Sequence, residues 1–291
     1  MMKKVLVYMD KELIGVENDS TDYLVRNIGN DNYFDIKVSS EENPELAKDY
    51  DVVLCRFDLP LKREFLKELS KYDDGNRLFI NPPETKLNYS NKGYLKKFAD
   101  NGILPDTHIG SNPYEIAEFM RDLKSDVISK PIEANKGRGI EKIDGRRSLS
   151  ELVEDSIRLT NNGSEEIVVQ RFIDKIEEYG DKRVNVLFYE PINAVLRFPG
   201  DNSFLCNTSA GGSSVKTSIT DKDREIIEKI EPFLRENRGV WAGVDIIGPY
   251  LGEINFPSPG LLYRTDIFNE NKEGTNYLIE NIKKWSPKYD N

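Results

Sequence analysis

Apolar positions over the first eighty residues fall in short unbroken runs. Lys4-Val5-Leu6-Val7-Tyr8-Met9, Asp51-Val52-Val53-Leu54-Cys55 and Leu78-Phe79-Ile80 each read as a buried strand. Between the first two, Tyr23, Leu24, Val25 and Ile28 recur at helical spacing behind Asp19-Ser20-Thr21, which has the residue types of a helix cap. Strands alternating with helices predict a small parallel α/β module. Asn81-Pro82-Pro83 marks its end, giving a first unit over residues 1–83.

From 84 to 291 the periods are mixed and the predicted class is α+β. Lys92 falls on a predicted helix, and Asn112-Pro113-Tyr114-Glu115 has the cap and first turn of another. Val127-Ile128-Ser129 predicts a strand ending in Lys130-Pro131. A helix around Leu149, Leu152, Val153 and Ile157 follows, then a strand over Ile167–Gln170, together a smaller lobe at roughly 119–172. Val184–Tyr189 and Ile192–Phe198 predict a hairpin turning at Glu190-Pro191. Residues Thr220 to Arg238 predict a helix with Ile226, Ile227, Ile230, Phe233 and Leu234 on one face. Thr220 caps it with Asp223 three residues on, and Gly239 closes it. Pro232 should kink or shorten it.

Composition narrows the function classes. The 291 residues carry a formal net charge of -10 with no long basic run, which argues against a nucleic-acid partner, although a local pocket can still be positive. The five-residue apolar run Val5–Met9 is too short for a signal peptide or a membrane span, so a cytoplasmic, membrane-free protein is expected. Cys55 and Cys206 lack CxxC spacing, which argues against structural zinc and a disulfide framework and fits a reducing compartment. Any Ser-His-Asp or Cys-His triad would have to use His108, the single histidine, which follows Pro105-Asp106-Thr107 and suits a surface or strand-edge position.

The strongest chemical signal is Val244-Asp245-Ile246-Ile247-Gly248-Pro249-Tyr250-Leu251-Gly252-Glu253-Ile254-Asn255, two apolar strands joined by a tight turn. Glu253 and Asn255 lie two apart and share a face. If the hairpin is symmetric about Pro249, Asp245 lies opposite Glu253. Three hard oxygen ligands then converge, which suits magnesium. An exposed polar sheet face fits the same alternation. Favouring a cation, carboxylates inside apolar strands repel each other and lose solvation without one.

Lys92, Lys130, Arg183 and Arg197 each sit in or beside an apolar element, and as a set they suit phosphate and carboxylate groups. Arg183 and Arg197 are expected nearly opposite one another across the hairpin. Lys136-Gly137-Arg138-Gly139 could close over phosphates or simply turn the chain, and it is no P-loop. Asn207-Thr208-Ser209-Ala210-Gly211-Gly212-Ser213-Ser214 is either a linker or a loop presenting N–H groups to an anion. Ser258-Pro259-Gly260 could cradle a carboxylate or merely turn.

With these residues in place, the chain resembles the bacterial-type glutathione synthetases of the ATP-grasp superfamily. The resemblance is densest in Gly180-Asp181-Lys182-Arg183, Arg197-Phe198-Pro199, Asn207…Ala210-Gly211-Gly212, Val244-Asp245-Ile246-Ile247-Gly248 and Glu253-Ile254-Asn255…Ser258-Pro259. It extends more thinly to Asp19-Ser20-Thr21, Arg56-Phe57-Asp58-Leu59-Pro60, Lys92 and Lys130-Pro131. The resemblance implies a substrate-binding pre-ATP-grasp module at 1–83, then an ATP-grasp domain at 84–291 holding ATP between two α+β lobes. It implies phosphate contacts from Lys92 and Lys130, and adenine at the backbone of Gln170, Arg171, Phe172 and Ile173, with Gly137, Gly139 and Asp181 in the same nucleotide set. Asp245, Glu253 and Asn255 would hold Mg2+. Arg56 would grip the peptide with Asn207, Gly211, Gly212, Ser258 and Pro259. Arg183 and Arg197 would be catalytic, Arg197 facing the reacting carboxylate.

The implied activity joins γ-glutamylcysteine to glycine with ATP, in a homodimer or homotetramer. The lid departs from the family: where that usually reads Lys-Pro-Leu-Asp-Gly-Met-Gly-Gly, this chain has Lys130-Pro131-Ile132-Glu133-Ala134-Asn135-Lys136-Gly137-Arg138-Gly139, closer to other ATP-grasp ligases. Another carboxylate–amine ligase, such as one adding glutamate, and a non-catalytic ATP-binding regulator are the alternatives. The intact Asp245, Glu253 and Asn255 set argues against the last.

Overall fold

Strands β1 (Lys3–Tyr8), β2 (Phe34–Ser39), β3 (Val52–Cys55) and β4 (Leu78–Ile80) form a parallel sheet in the order β2-β1-β3-β4. They are seen in a computed structural model that describes residues 2–17, 19–57, 60–133, 137–201, 203–207 and 211–287. Helix α1 (Ser20–Gly29) packs Leu24 and Ile28 on the face carrying Val5 and Val7, and α2 (Arg63–Ser70) packs Phe65, Leu66 and Leu69 on the face carrying Leu6 and Tyr8. Burial on both faces is why the strands read as unbroken apolar runs. As expected, Asp19 caps α1, its carboxylate accepting from the N–H groups of Thr21 and Asp22.

Helix α3 (Pro83–Asn88) and a 3-10 helix over Lys92–Asn101 lead into the second sheet, so Lys92 stands at the start of a tighter helix than expected. That sheet contains β5 (Thr107–Gly110), β6 (Asp126–Pro131), β7 (Glu141–Asp144) and β8 (Ile167–Arg171), antiparallel in the order β5-β8-β6-β7. Helices α4 (Pro113–Leu123) and α5 (Leu149–Leu159) bury Ile116, Met120 and Leu152 against Val127, Ile167 and Val169. His108 lies on the edge strand β5, its ring against Phe119, and burial lowers its pKa.

After α6 (Ile176–Tyr179) comes an antiparallel sheet of β9 (Asp181–Leu187), β10 (Glu190–Phe198), β11 (Ser213–Thr217), β12 (Trp241–Ile247) and β13 (Tyr250–Asn255), in the order β11-β10-β9-β12-β13. Helix α7 (Asp221–Glu236) covers the face carrying Val184, Val186 and Val244. On the other side, α8 (Leu262–Asn269) and α9 (Glu273–Lys284) place Leu262, Leu278 and Ile282 in one core with Leu187, Trp241, Val5, Val7 and Leu54. Among the described residues no helix is long and apolar enough to cross a membrane.

Three expectations need correction. The β9–β10 turn is Phe188-Tyr189, with φ 48° and 73°, and Glu190-Pro191 begin β10. Two successive positive φ values match the twist of a hairpin, but neither residue is one of the usual Gly or Asn signals. Helix α7 is not cut short at Pro232 but runs through it to Glu236, because the proline lies on the exposed face, where the carbonyl it leaves unpaired meets water. Ser213 and Ser214 are not loop; they start β11 and pair with Phe198 and Arg197.

Candidate active site

The site is built on the β12–β13 hairpin, where register decides which side chains meet. Ile246 pairs with Leu251 and Ile247 with Tyr250, a spacing that continued unchanged would set Asp245 opposite Gly252. A bulge intervenes, and Asp245 instead pairs with Glu253 and Gly243 with Asn255. The bulge restores the arrangement that symmetry about Pro249 predicts, placing Asp245, Glu253 and Asn255 at one wall of a cavity of about 480 Å³. Opposite Asn255, Gly243 leaves space that the Arg183 side chain occupies: a Cβ there would lie 3.0 Å from Nη1.

Arg183 and Arg197 do not face each other directly. Arg183 pairs with Val195 and Arg197 with Asp181, two residues apart on the same face. That offset lets both reach Asp245. Arg183 donates Nε to Oδ1 and Nη2 to Oδ2, the latter at 2.8 Å. Arg197 Nη2 donates to Asp245 Oδ1 at 2.8 Å and to Asp181 Oδ2 at 2.5 Å. Burial works to raise the Asp245 carboxyl, but Arg183 and Arg197 outweigh it and hold the group below its ordinary value, so it stays ionised. Asp181 goes the other way, pushed up by burial that Arg197 does not fully offset. Its Oδ1 has no hydrogen-bond partner among the described residues although it lines the cavity, so it can accept from a ligand.

Lys130, next to the last residue of β6, lines the same cavity and donates to Gln170 Oε1 at 2.7 Å, while burial lowers its pKa against the pull of Glu253. Lys92 Nζ lies 3.5 Å from Glu253 Oε1. Counting Arg138 and Arg171, six basic side chains and three carboxylates line the cavity among the described residues, so an acidic protein holds a locally cationic pocket. By type the donors, two carboxylates and an amide, suit Mg2+, and Asp245 would exchange one of the four hydrogen bonds it accepts from Arg183, Arg197 and Asn255 for the cation. Asn255 donates Nδ2 to the Gly243 carbonyl and to Asp245 Oδ2, which leaves its oxygen for a cation. Among the described residues no three His, Cys, Asp or Glu side chains cluster as a metal set.

Gln170, Arg171, Phe172 and Ile173 all line the cavity, with Ile128, Ile140 and Phe204 as apolar wall that the sequence reading did not single out. The Phe172 N–H is already bonded to the Asp126 carbonyl, at 2.9 Å. Gly137 lines the cavity at φ 77°, and a Cβ there would lie 2.9 Å from Asn207 Nδ2; Gly139, at φ 69°, abuts Pro131 outside the lining. Asn207 and Ser258 line the cavity, and Gly212 backs it, its N–H bonded to the Asn207 carbonyl. Gly211 stands in open space. Ala134-Asn135-Lys136, Asp58-Leu59 and Thr208-Ser209-Ala210 lie outside the described residues.

Arg56 and Pro259 are not part of the cavity wall. The Arg56 guanidinium stacks 4.3 Å from the Trp241 ring centre and donates Nε to Thr21 Oγ1 at 3.2 Å and Nη2 to the Pro259 carbonyl at 2.7 Å. The structure thus places it behind the loop that presents Ser258. Cys55 and Cys206 are both free and buried.

Residues 91–270 match the sequence profile described as prokaryotic glutathione synthetase, ATP-grasp domain. A glutathione synthetase of Mesorhizobium japonicum is 34% identical over 212 residues, covering 72% of this chain and 66% of that protein. One of Gloeobacter violaceus is 32% identical over 228 residues, covering 75% and 68%. The alignments therefore span about two thirds of the relatives' own length. Among solved structures, a Chryseobacterium gregarium RiPP-associated ATP-grasp ligase superposes with TM-score 0.69 at 16% identity, covering 100% of this chain and 99% of its own. A D-cycloserine synthetase gives 0.67 at 13% identity, covering 96% and 99%. The fold is that of these ligases, and the chain belongs to the prokaryotic glutathione synthetase family of ATP-dependent ligases.

Proposed function

We propose that the protein joins γ-glutamylcysteine to glycine, converting ATP to ADP and phosphate. The observation that carries this reading is the convergence of Arg183 and Arg197 on Asp245, opposite Glu253, in a cavity that Lys92 and Lys130 also enter. A carboxylate is a poor electrophile. Its oxygen first takes the γ-phosphoryl group with loss of ADP, and the glycine amine then displaces phosphate from the acyl carbon. Every reacting group in the first step is anionic, so fixed cations do the work and no side-chain nucleophile is needed. Lys92 and Lys130 hold the polyphosphate, and Arg197, fixed by Asp181 and Asp245, faces the reacting carboxylate. Asp245, Glu253 and Asn255 would hold Mg2+, which supplies charge neutralisation between the phosphates and these carboxylates. Gly137 and Arg138 close over the cavity against Asn207 and keep water from the activated acyl group.

In this reading residues 1–83 contribute to the peptide side together with Asn207 and Ser258, and the rest of 84–291 holds the nucleotide. The reaction belongs in the cytoplasm, where the Cys55 and Cys206 thiols persist, and the working form is a homodimer or homotetramer. Phosphate release is the test: γ-glutamylcysteine plus glycine should stimulate it, and lack of stimulation would sink the assignment. The divergent lid, Ile132 to Gly139, favours one second reading, a related carboxylate–amine ligase, for which only a different acceptor gives turnover.

A further inference from the structure

β13 is the outermost strand of its sheet, so the backbone groups on its far side have no strand to pair with. The Ile103 carbonyl accepts from the Leu251 N–H at 2.7 Å, and at Ile254 a side chain stands in for the missing strand. The Tyr94 hydroxyl donates to the Ile254 carbonyl at 2.9 Å and accepts from the Ile254 N–H at 2.6 Å. Ile254 lies between Glu253 and Asn255, so this contact clamps the backbone between two of the oxygen donors. Burial in the cluster of Phe98, Phe233 and Phe256 pushes the Tyr94 phenol well up, which keeps it a neutral group able to donate and accept at once.

The row continues beyond β13. Asn81 donates Nδ2 to the Phe256 carbonyl at 3.0 Å and to the Trp241 carbonyl at 2.6 Å. Lys86 donates Nζ to the Pro257 carbonyl, and Arg56 reaches the carbonyl of Pro259. All four side chains are buried, with Lys86 only 1% exposed. Backbone positions 254, 256, 257 and 259 are therefore fixed by residues drawn from 56–94. The functional side chains Asn255 and Ser258 sit between the fixed points.

We infer that Tyr94 and Lys86 are positioning residues with separate duties: Tyr94 holds Glu253 and Asn255 in place for the cation, and Lys86 holds the Ser258 loop in place for the peptide. This rests on the magnesium and peptide assignments above. Groups that orient metal ligands change metal affinity about 10–100-fold when removed, and a reactant misplaced by 1 Å costs about 100-fold.

The test uses the full chain with Tyr94→Phe, Lys86→Met and Lys86→Arg. Calorimetry of ADP binding across a Mg2+ series gives the half-saturating Mg2+ concentration, and steady-state turnover gives KM for γ-glutamylcysteine. Tyr94→Phe should raise the Mg2+ half-saturation at least tenfold while metal-free ADP binding stays at the wild-type level. Lys86→Met should raise the peptide KM about tenfold at an unchanged Mg2+ requirement, and Lys86→Arg should restore it. If both variants only lower the melting temperature, or shift both quantities together, the side chains are merely structural and the inference falls. Wild-type ADP binding that ignores Mg2+ would overturn the metal assignment and the Tyr94 duty with it. Wild-type protein inert toward γ-glutamylcysteine would do the same for the peptide assignment and the Lys86 duty.

Discussion

Arg183→Met isolates the interaction on which the site turns. The guanidinium grips Asp245 through Nε and Nη2, and the two side chains are 10% and 12% exposed. Methionine keeps most of the apolar stem but takes away two of the four hydrogen bonds, and one of the two cations, that a buried carboxylate has. Breaking a buried pair by removing one partner costs about 3–5 kcal/mol, because the remaining charge has lost solvent and partner together. Arg197 still donates to Asp245, so the lower end, about 3 kcal/mol, is expected. For a chain of this size that corresponds to about 6 °C in melting temperature, at about 2 °C per kcal/mol.

Two further measurements make the reasoning specific. In a double-mutant cycle with Asp245→Asn, the double variant should recover at least about 1 kcal/mol of the summed losses, since removing both partners leaves less charge uncompensated. The second is pH. The folded Asp245 carboxyl lies below its ordinary 3.8, so its contribution is present above that value and lost as pH falls through the folded value. The melting gap between wild type and Arg183→Met should therefore be full at pH 7 and shrink below pH 3.8. A gap independent of pH, or a cycle coupling under about 0.5 kcal/mol, refutes the account.

Other outcomes follow from single contacts. Glu253→Gln keeps size but removes a charged donor, and turnover should drop about 100-fold, the upper end of losses at metal shells; unchanged turnover would make the metal assignment wrong. Gly212→Ala would put a Cβ 2.4 Å from the Cys206 carbonyl, so the denaturant midpoint should fall by the equivalent of about 1–3 kcal/mol. Burial, aided by Asp181, pushes the Cys206 thiol up to about 12, so alkylation of the folded protein at pH 8, followed by intact mass, should run about 1,000-fold slower than for an exposed thiol.

What could be read from the sequence was mostly local. The β1, β3 and β4 runs, the caps at Asp19 and Thr220 and the Asp245–Glu253 pairing depend on neighbours a few residues away. The hairpin succeeded through a bulge that no reading of Pro249 foresees. The strands β2, β7 and β11 sit at sheet edges with mixed polarity, so no apolar run announces them. Phe188-Tyr189 makes its turn without a glycine. Arg56 was recognisable as a residue, but its direction is set by Trp241 and Pro259, far along the chain. Tyr94, Asn81 and Lys86 were illegible for the same reason: their partners lie 160 to 175 positions away.

The core shared by β1, β3, α8 and α9 has a bearing on how the chain is made. Val5, Val7 and Leu54 meet Leu278 and Ile282, and Lys3 donates to the Ile282 carbonyl at 2.8 Å. During vectorial synthesis the earliest strands leave the ribosome with one face covered by α2 and the other covered only in part by α1, the rest waiting on residues from Leu187 to Ile282. That waiting surface includes Val5, Val7, Val52 and Leu54, an apolar patch that a nascent chain has to shield for most of its translation. The first module can start its fold early, but it closes only when the last helices arrive.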